Sequence, residues 1–272
     1  MNARPEIVKM QRAQGSANLH MKQGNIETLY QSGSAKIILP KTYQPAREAV
    51  FLNTAGGIAG GDEFKISIRA DNCAITATTQ AAERIYDGRR VNAHMHIHLD
   101  AREKAQLHWL PQETILFQGA ALERHIHLDM DEDCECLLAE TLIFGREAMG
   151  EIIEQCQFND QWRLYCAGKL FHAEAMKIDD DAQRLLQHRA GGNGARFLST
   201  IIYAGPQIER RMQGLNLSPT NSEFISAVSS WNQKIIIRLL GPNCHAARRE
   251  LYRILQQLRQ TALPRVWLST RN

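Results

Sequence analysis

Short stretches of alternating apolar and polar side chains dominate the chain. Phe64, Ile66 and Ile68 fall on one side of residues 64–69, and Lys65, Ser67 and Arg69 on the other. That is the period-two pattern of a half-buried strand. Residues 95–99 and 125–128 alternate in the same way, and 74–79 is small and β-branched. Further strands are predicted at 35–39, 106–110, 114–117, 137–144, 152–158, 162–165, 169–176, 197–203 and 234–240. Turn signals separate most of them: Asp71-Asn72, Asp87-Gly88, Asp100-Ala101, Gly119 and Asn159-Asp160. Many short strands at fairly even spacing predict a mainly β fold, a many-stranded β-sheet body in a sandwich or helical β arrangement, and argue against βαβ units.

Two or three helices are expected beside this body. Residues 222–231 read as a short one, with Ser222 as N-cap. Near the C-terminus, residues 245–260 place Leu251, Ile254, Leu255 and Leu258 at i, i+3, i+4 and i+7, one apolar stripe. Pro242-Asn243 marks its start and Pro264 follows its end. Arg248, Arg249, Arg253 and Arg259 fall mostly on the predicted solvated face. No linker divides the chain and no internal repeat stands out. The expectation is one domain over 1–272, with 1–16 a poorly ordered N-terminal extension.

Composition narrows the class. The chain has 272 residues, 44% hydrophobic and 22% charged, with a net charge of +3. This is ordinary globular composition, and the charge is too mild to point to nucleic acid or an anionic membrane. No apolar run approaches the ~18 residues of a membrane span, and residues 1–14 carry no apolar signal region. A cytoplasmic location is therefore expected. Six cysteines lack Cys-x-x-Cys spacing, which favours free thiols over a disulfide framework or structural zinc.

Three features carry candidate chemistry. Asn53-Thr54-Ala55-Gly56-Gly57-Ile58-Ala59-Gly60-Gly61-Asp62 is glycine-rich, yet it lacks the Lys-Ser or Lys-Thr of a phosphate loop, and Asp62-Glu63 would repel phosphate. A specialised turn is the better reading. His94, His96 and His98 share one face of a strand, as do His125 and His127. Alternate side chains on one strand lie ~6.5–7 Å apart, so a metal site there needs both strands and a carboxylate; a solvated sheet face is the simpler reading. Cys134-Glu135-Cys136 beside Asp129, Asp131, Glu132 and Asp133 reads as an acidic surface turn, with soft-metal uptake as the alternative. No Gly-x-Ser-x-Gly elbow or His-Glu-x-x-His helix is present, so no enzyme is expected.

Five ordered segments carry a resemblance. They are residues 53–62, then Thr78-Thr79-Gln80-Ala81-Ala82-Glu83-Arg84-Ile85-Tyr86, Leu110-Pro111-Gln112-Glu113-Thr114-Ile115-Leu116-Phe117, Gly145-Arg146-Glu147-Ala148-Met149-Gly150-Glu151, and Pro264-Arg265-Val266-Trp267. Together they resemble the urease accessory protein UreD (UreH) family, from about Ala17 to Trp267. The resemblance implies a cytosolic, non-catalytic urease maturation factor. It implies partners UreF, the GTPase UreG and apo-urease, and transient Ni²⁺ with no tightly bound cofactor. It also implies a mostly β scaffold with a polar passage for the metal. Such a passage needs oxygen or imidazole ligands that release the ion. On the matching segments these are Asp62, Thr78, Thr79, Gln80, Glu83, Glu140 and Glu147. Gly56, Gly57, Gly60, Gly61, Arg84 and Arg146 would hold the loops, the two arginines pairing with these acids. The competing readings are an autonomous metal-binding protein using His94, His96, His98, His125 and His127, and an unrecognised hydrolase.

Overall fold

The computed structural model describes residues 12–42, 44–88 and 91–268. The chain winds as a flattened spiral between two sheets. β1 (Gln14–Lys22) and β2 (Asn25–Gly33) lie in the first sheet; β3 (Ala35–Ile38) and β4 (Arg47–Asn53) cross to the second. β5 (Glu63–Asp71) returns to the first, β6 (Ala74–Thr79) and β7 (Glu83–Ile85) go to the second, and β8 (Ala93–Arg102) returns again. β9 (Gln106–Trp109) and β10 (Thr114–Leu116) belong to the second, β11 (Ala121–Met130) to the first, and β12 (Glu135–Phe144) to the second. β13 (Gln155–Cys166) and β14 (Lys169–Asp181) complete the first sheet; β15 (Phe197–Ala204), β16 (Ile225–Trp231) and β17 (Lys234–Gly241) complete the second. Four helices are described: α1 (Ala182–Gln187), α2 (Ile208–Gly214), α3 (Cys244–Arg259) and α4 (Arg265–Leu268).

The first sheet runs β14-β13-β11-β8-β5-β1-β2, and the second runs β16-β17-β15-β12-β9-β6-β4-β3, with β10 and β7 continuing beside the far half of β12. β1, β5, β8, β11 and β13 are parallel neighbours, as are β4, β6, β9 and β12. Parallel strands need a long return connection, usually a helix. Here the return is a strand of the opposite sheet, which is why so strand-rich a sequence gives parallel sheets. The mainly β body that the alternation predicts is thus a helical winding of strands between two sheets, where a sandwich or a helical arrangement was open.

Several sequence expectations change. Residues 14–16 begin β1, so the part of the predicted extension that is described is not loose; residues 1–11 lie outside the described residues. Residues 222–231 are not a helix. Asn221 Oδ1 accepts from the amides of Glu223 and Phe224, and β16 pairs with β17 across Asn232 and Gln233, whose φ of 45° and 54° suit a tight hairpin turn. Asn159-Asp160 is no turn, because β13 runs through it and Asp160 finds an interior partner. Asp100-Ala101 likewise lies inside β8. An internal repeat does exist: His96-Ile97-His98-Leu99-Asp100 recurs as His125-Ile126-His127-Leu128-Asp129. β8 and β11 stack the two copies in register.

Two cores share the second sheet. Between the sheets pack Leu19, Ile68, Leu99, Leu128 and Leu164 from one side and Phe51, Trp109 and Leu138 from the other. On its other face, Ile201, Tyr203 and Ile237 meet Leu251, Ile254, Leu255 and Leu258 of α3. Asn243 caps α3, its side chain accepting from the Ala246 amide at 2.9 Å. The charged face of α3 is less solvated than its pattern suggests. Arg259 is buried and donates to Thr76 Oγ1 at 3.1 Å, and Arg248 pairs with buried Glu113 at 2.8 Å. Leu251→Ala is expected to cost about 2–5 kcal/mol in denaturant unfolding. Arg249→Ala, on the exposed face, should stay within about 0.5 kcal/mol.

Candidate functional site

Each strand facing the sandwich interior places every second residue there. On β11 that row is Leu122, Arg124, Ile126 and Leu128; on β13 it is Phe158, Asp160, Trp162 and Leu164; on β12 it is Leu138, Glu140 and Leu142. One charge in each row breaks the apolar run, and the three charges meet. Arg124, 1% exposed, donates from Nε to Asp160 Oδ1 at 2.9 Å and from Nη2 to Oδ2 at 2.7 Å. Its Nη1 donates across the gap to Glu140 Oε2 and to Thr114 Oγ1. The indole of Trp109 donates to Glu140 Oε1 at 2.7 Å, and that of Trp162 to Asp160 Oδ2 at 3.0 Å. Burial raises the pKa of Glu140 above the ordinary carboxyl value, outweighing Arg124 and the Trp109 hydrogen bond. Desolvation works against the charge on Arg124, but Asp160 and Glu140 overcome it and raise its pKa.

Polar groups extend from this centre in both directions. Thr114 is the register partner of Glu83. Glu83 accepts from Asn53 Nδ2 at 3.2 Å and lines a cleft of about 210 Å³ with Phe51, Asn53, Thr79 and Gln80. Burial pushes its carboxyl up to about 7, against the Asn53 hydrogen bond and the Arg84 charge. On the other side Thr200 is the partner of Glu140 and accepts from Arg238 at 2.8 Å. Arg238 grips Glu174 at 2.6 and 3.0 Å, and His172 stands 3.5 Å from Glu174. The result is a line of polar side chains across the interior, from the cleft at Glu83 to the partly exposed Arg238.

Of the residues singled out in the sequence, Glu140, Glu83, Thr79 and Gln80 belong to this line or its mouth. Asp62 is committed to a turn, its two oxygens accepting from the amides of Ala13 and Ala59 at 2.7 and 2.8 Å. Thr78 points away from the line, because alternation puts it with Thr76 on the opposite side of β6. Glu147 is exposed in a short turn after β12. Arg146 pairs with Glu151 at 2.9 Å, not with Glu147, and Arg84 is exposed. The glycine loop is a close-packed turn. A side chain at Gly57 would strike the Tyr86 ring, and one at Gly60 the carbonyls of Gly88 and Val91. Near the acidic turn, Asp131 already accepts from Arg102 and the Glu103 amide, and burial pushes the Cys134 thiol up to about 11. Arg124, Asp160, Thr200, Glu174 and Arg238 escaped sequence reasoning. The available signal was a charge at a core position of an alternating strand.

The fold defines a class: a spiral β scaffold whose charged groups are enclosed between its sheets. Residues 13–268 match the family described as UreD urease accessory protein. The chain is 38% identical over 263 residues to the urease accessory protein UreD of Rhizobium leguminosarum bv. viciae, covering 94% of this chain and 96% of that one. It is 38% identical over 261 residues to that of Paracoccus denitrificans, covering 96% and 94%, and 38% identical over 260 residues to that of Jannaschia sp., covering 94% and 96%. The chain belongs to the UreD family of urease accessory proteins. That membership supports a role in urease maturation and implies a factor that does no catalysis itself.

Arg124→Met removes the only cation touching the two central carboxylates among the described residues, and should lower unfolding stability by about 3–5 kcal/mol. Glu83 gives a pH signature. Its folded pKa of about 7 lies above the ordinary 4.5, so the native state holds the extra proton between these values. The stability of the natural chain relative to Glu83→Gln should fall as pH rises through this window and level off above it. Thermal unfolding of both proteins at a series of pH values checks the sign.

Proposed function

We propose that this chain acts in the cytoplasm as an adaptor in urease maturation, binding UreF, UreG and apo-urease, and that the interior polar line takes part in Ni²⁺ transfer to urease. The observation that carries this reading is the series Glu83, Thr114, Glu140, Asp160, Thr200 and Glu174, which crosses the interior between two apolar sheets from the cleft at Glu83 to the partly exposed Arg238. Buried charges are costly, and a scaffold with no other use for them is better served by apolar packing. Carboxylate and hydroxyl oxygens hold Ni²⁺ more weakly than a closed set of thiolates or imidazoles, which suits an ion that must leave.

Arg124 sets the condition for transfer. With both carboxylates ionised, the centre carries one net negative charge, and the guanidinium occupies the positions a cation would take. In this reading Arg124 is the resident counter-ion, and an incoming dication takes its place at Glu140 and Asp160. Docking of partners at the ends of the line supplies the movement.

The test is co-expression with UreF, UreG and urease, followed by size exclusion and a nickel-dependent activation assay. The natural chain should co-elute with the accessory proteins and support activation. Glu83→Gln with Glu140→Gln should keep the complex and lower activation about tenfold, the scale for losing groups that tune a metal site. Full activation by that variant at equal expression overturns the role of the polar line. Absence of any complex and any effect of the natural chain overturns the adaptor reading itself.

A further inference from the structure

The outer face of the first sheet bears a second organised set of side chains, separated from the interior line by the sheet itself. In-register stacking of β8 on β11 places His94 beside Glu123, His96 beside His125, His98 beside His127 and Asp100 beside Asp129. The His96 and His125 rings stack with centroids 5.3 Å apart, and those of His98 and His127 lie 4.9 Å apart. Tyr165 of β13 stacks on the other side of His127 at 5.1 Å.

The two copies of the repeated pentapeptide differ in one respect. Asp100 is engaged by Arg69 at 3.3 Å and by Arg102. Asp129 has no arginine among its described partners. Its Oδ2 lies 2.8 Å from His127 Nε2 and 3.7 Å from His98 Nε2. One donor atom from each of His98, His127 and Asp129 falls within 4.8 Å of the others. Ligands sharing an ion through bonds of ~2.1 Å are separated by roughly 3–4 Å. Rotamer adjustments of exposed His98 and the half-buried His127 and Asp129 close the remaining difference.

We propose that His98, His127 and Asp129 form a surface site for a borderline divalent cation, with Ni²⁺, Cu²⁺ and Zn²⁺ as the chemical class. Two imidazoles and one carboxylate suit these ions and not Mg²⁺ or Ca²⁺, which require oxygen ligands. Three protein ligands on an open face leave the remaining positions to water, so the ion exchanges readily. β11 alone supplies only two of the three ligands, His127 and Asp129. The parallel pairing supplies the third by bringing equivalent positions of neighbouring strands to about 4.8 Å. The proposal does not depend on the interior line or on any partner.

The experiment titrates the full chain alone with Ni²⁺ at pH 7.5 and follows binding by calorimetry. One Ni²⁺ per chain is expected. His98→Gln with His127→Gln should weaken it at least about tenfold, and His245→Gln and Cys134→Ser should leave it unchanged. Circular dichroism verifies that the exposed replacements keep the fold, and His98→Gln alone should also weaken binding. X-ray absorption on the loaded chain should show two imidazole ligands at about 2.1 Å. The proposal is overturned if the natural chain binds no Ni²⁺ or the double variant binds it equally. Equal weakening by His245→Gln, or loss in Cys134→Ser alone, also overturns it.

Discussion

The guanidinium of Arg124 is the interaction on which the interior depends. It reaches from β11 in the first sheet to Glu140 on β12 in the second, while a bidentate contact holds Asp160 on the neighbouring β13. Two indoles and a threonine use oxygens and hydrogens that would otherwise be unpaired. In an apolar sandwich such groups are tolerated only as a satisfied set. Removing one member leaves the others buried and uncompensated, whereas removing all of them leaves a gap that apolar side chains can fill. The arrangement is therefore a local requirement for each of its members without being a general requirement of the fold.

The spiral path explains why both polar systems exist. Each turn of the chain contributes one strand to each sheet, so residues about one turn apart become lateral neighbours. His96 and His125 are such a pair, as are Lys104 and Asp133, and Gln106 and Glu135. Interior and exterior rows are built by the same rule, with odd and even positions exchanged. The interior rows accumulate apolar residues interrupted by Arg124, Asp160 and Glu140; the exterior rows of β8 and β11 accumulate histidines and acids. A one-residue slip of register would exchange the two faces, and the apolar core prevents it.

Much of the fold was legible because period-two alternation survives wherever one face of a strand is buried, as in β5, β8 and β11. It failed where that condition failed. β2 is exposed along almost its whole length, β4 is apolar on consecutive residues because both faces are covered, and β16 is an edge strand with little burial. The C-terminal helix was clear from its stripe, but Arg259 was misplaced because its guanidinium finds Thr76 inside the protein. Glu140 and Glu83 came from family resemblance. Their partners did not, because Arg124 and Asp160 are each a lone charge in an apolar row, and nothing local says that residues 36 apart meet. Thr78 and Glu147 were close in sequence to the line and are excluded from it by strand face and by exposure.

On the proposed function, the buried charges serve urease maturation and not the stability of the scaffold. The clearest measurement replaces the whole set at once, Arg124→Met, Glu140→Leu and Asp160→Leu together with Trp109→Phe, Trp162→Phe and Thr114→Val, so that no buried donor is left unpaired, and reads the nickel content of urease matured with that chain. Such apolar replacements of a buried ionic set are often neutral or stabilising. A folded chain that still assembles with its partners and leaves urease nickel-poor is expected. Urease with a full complement of nickel, matured by that folded variant, would contradict it.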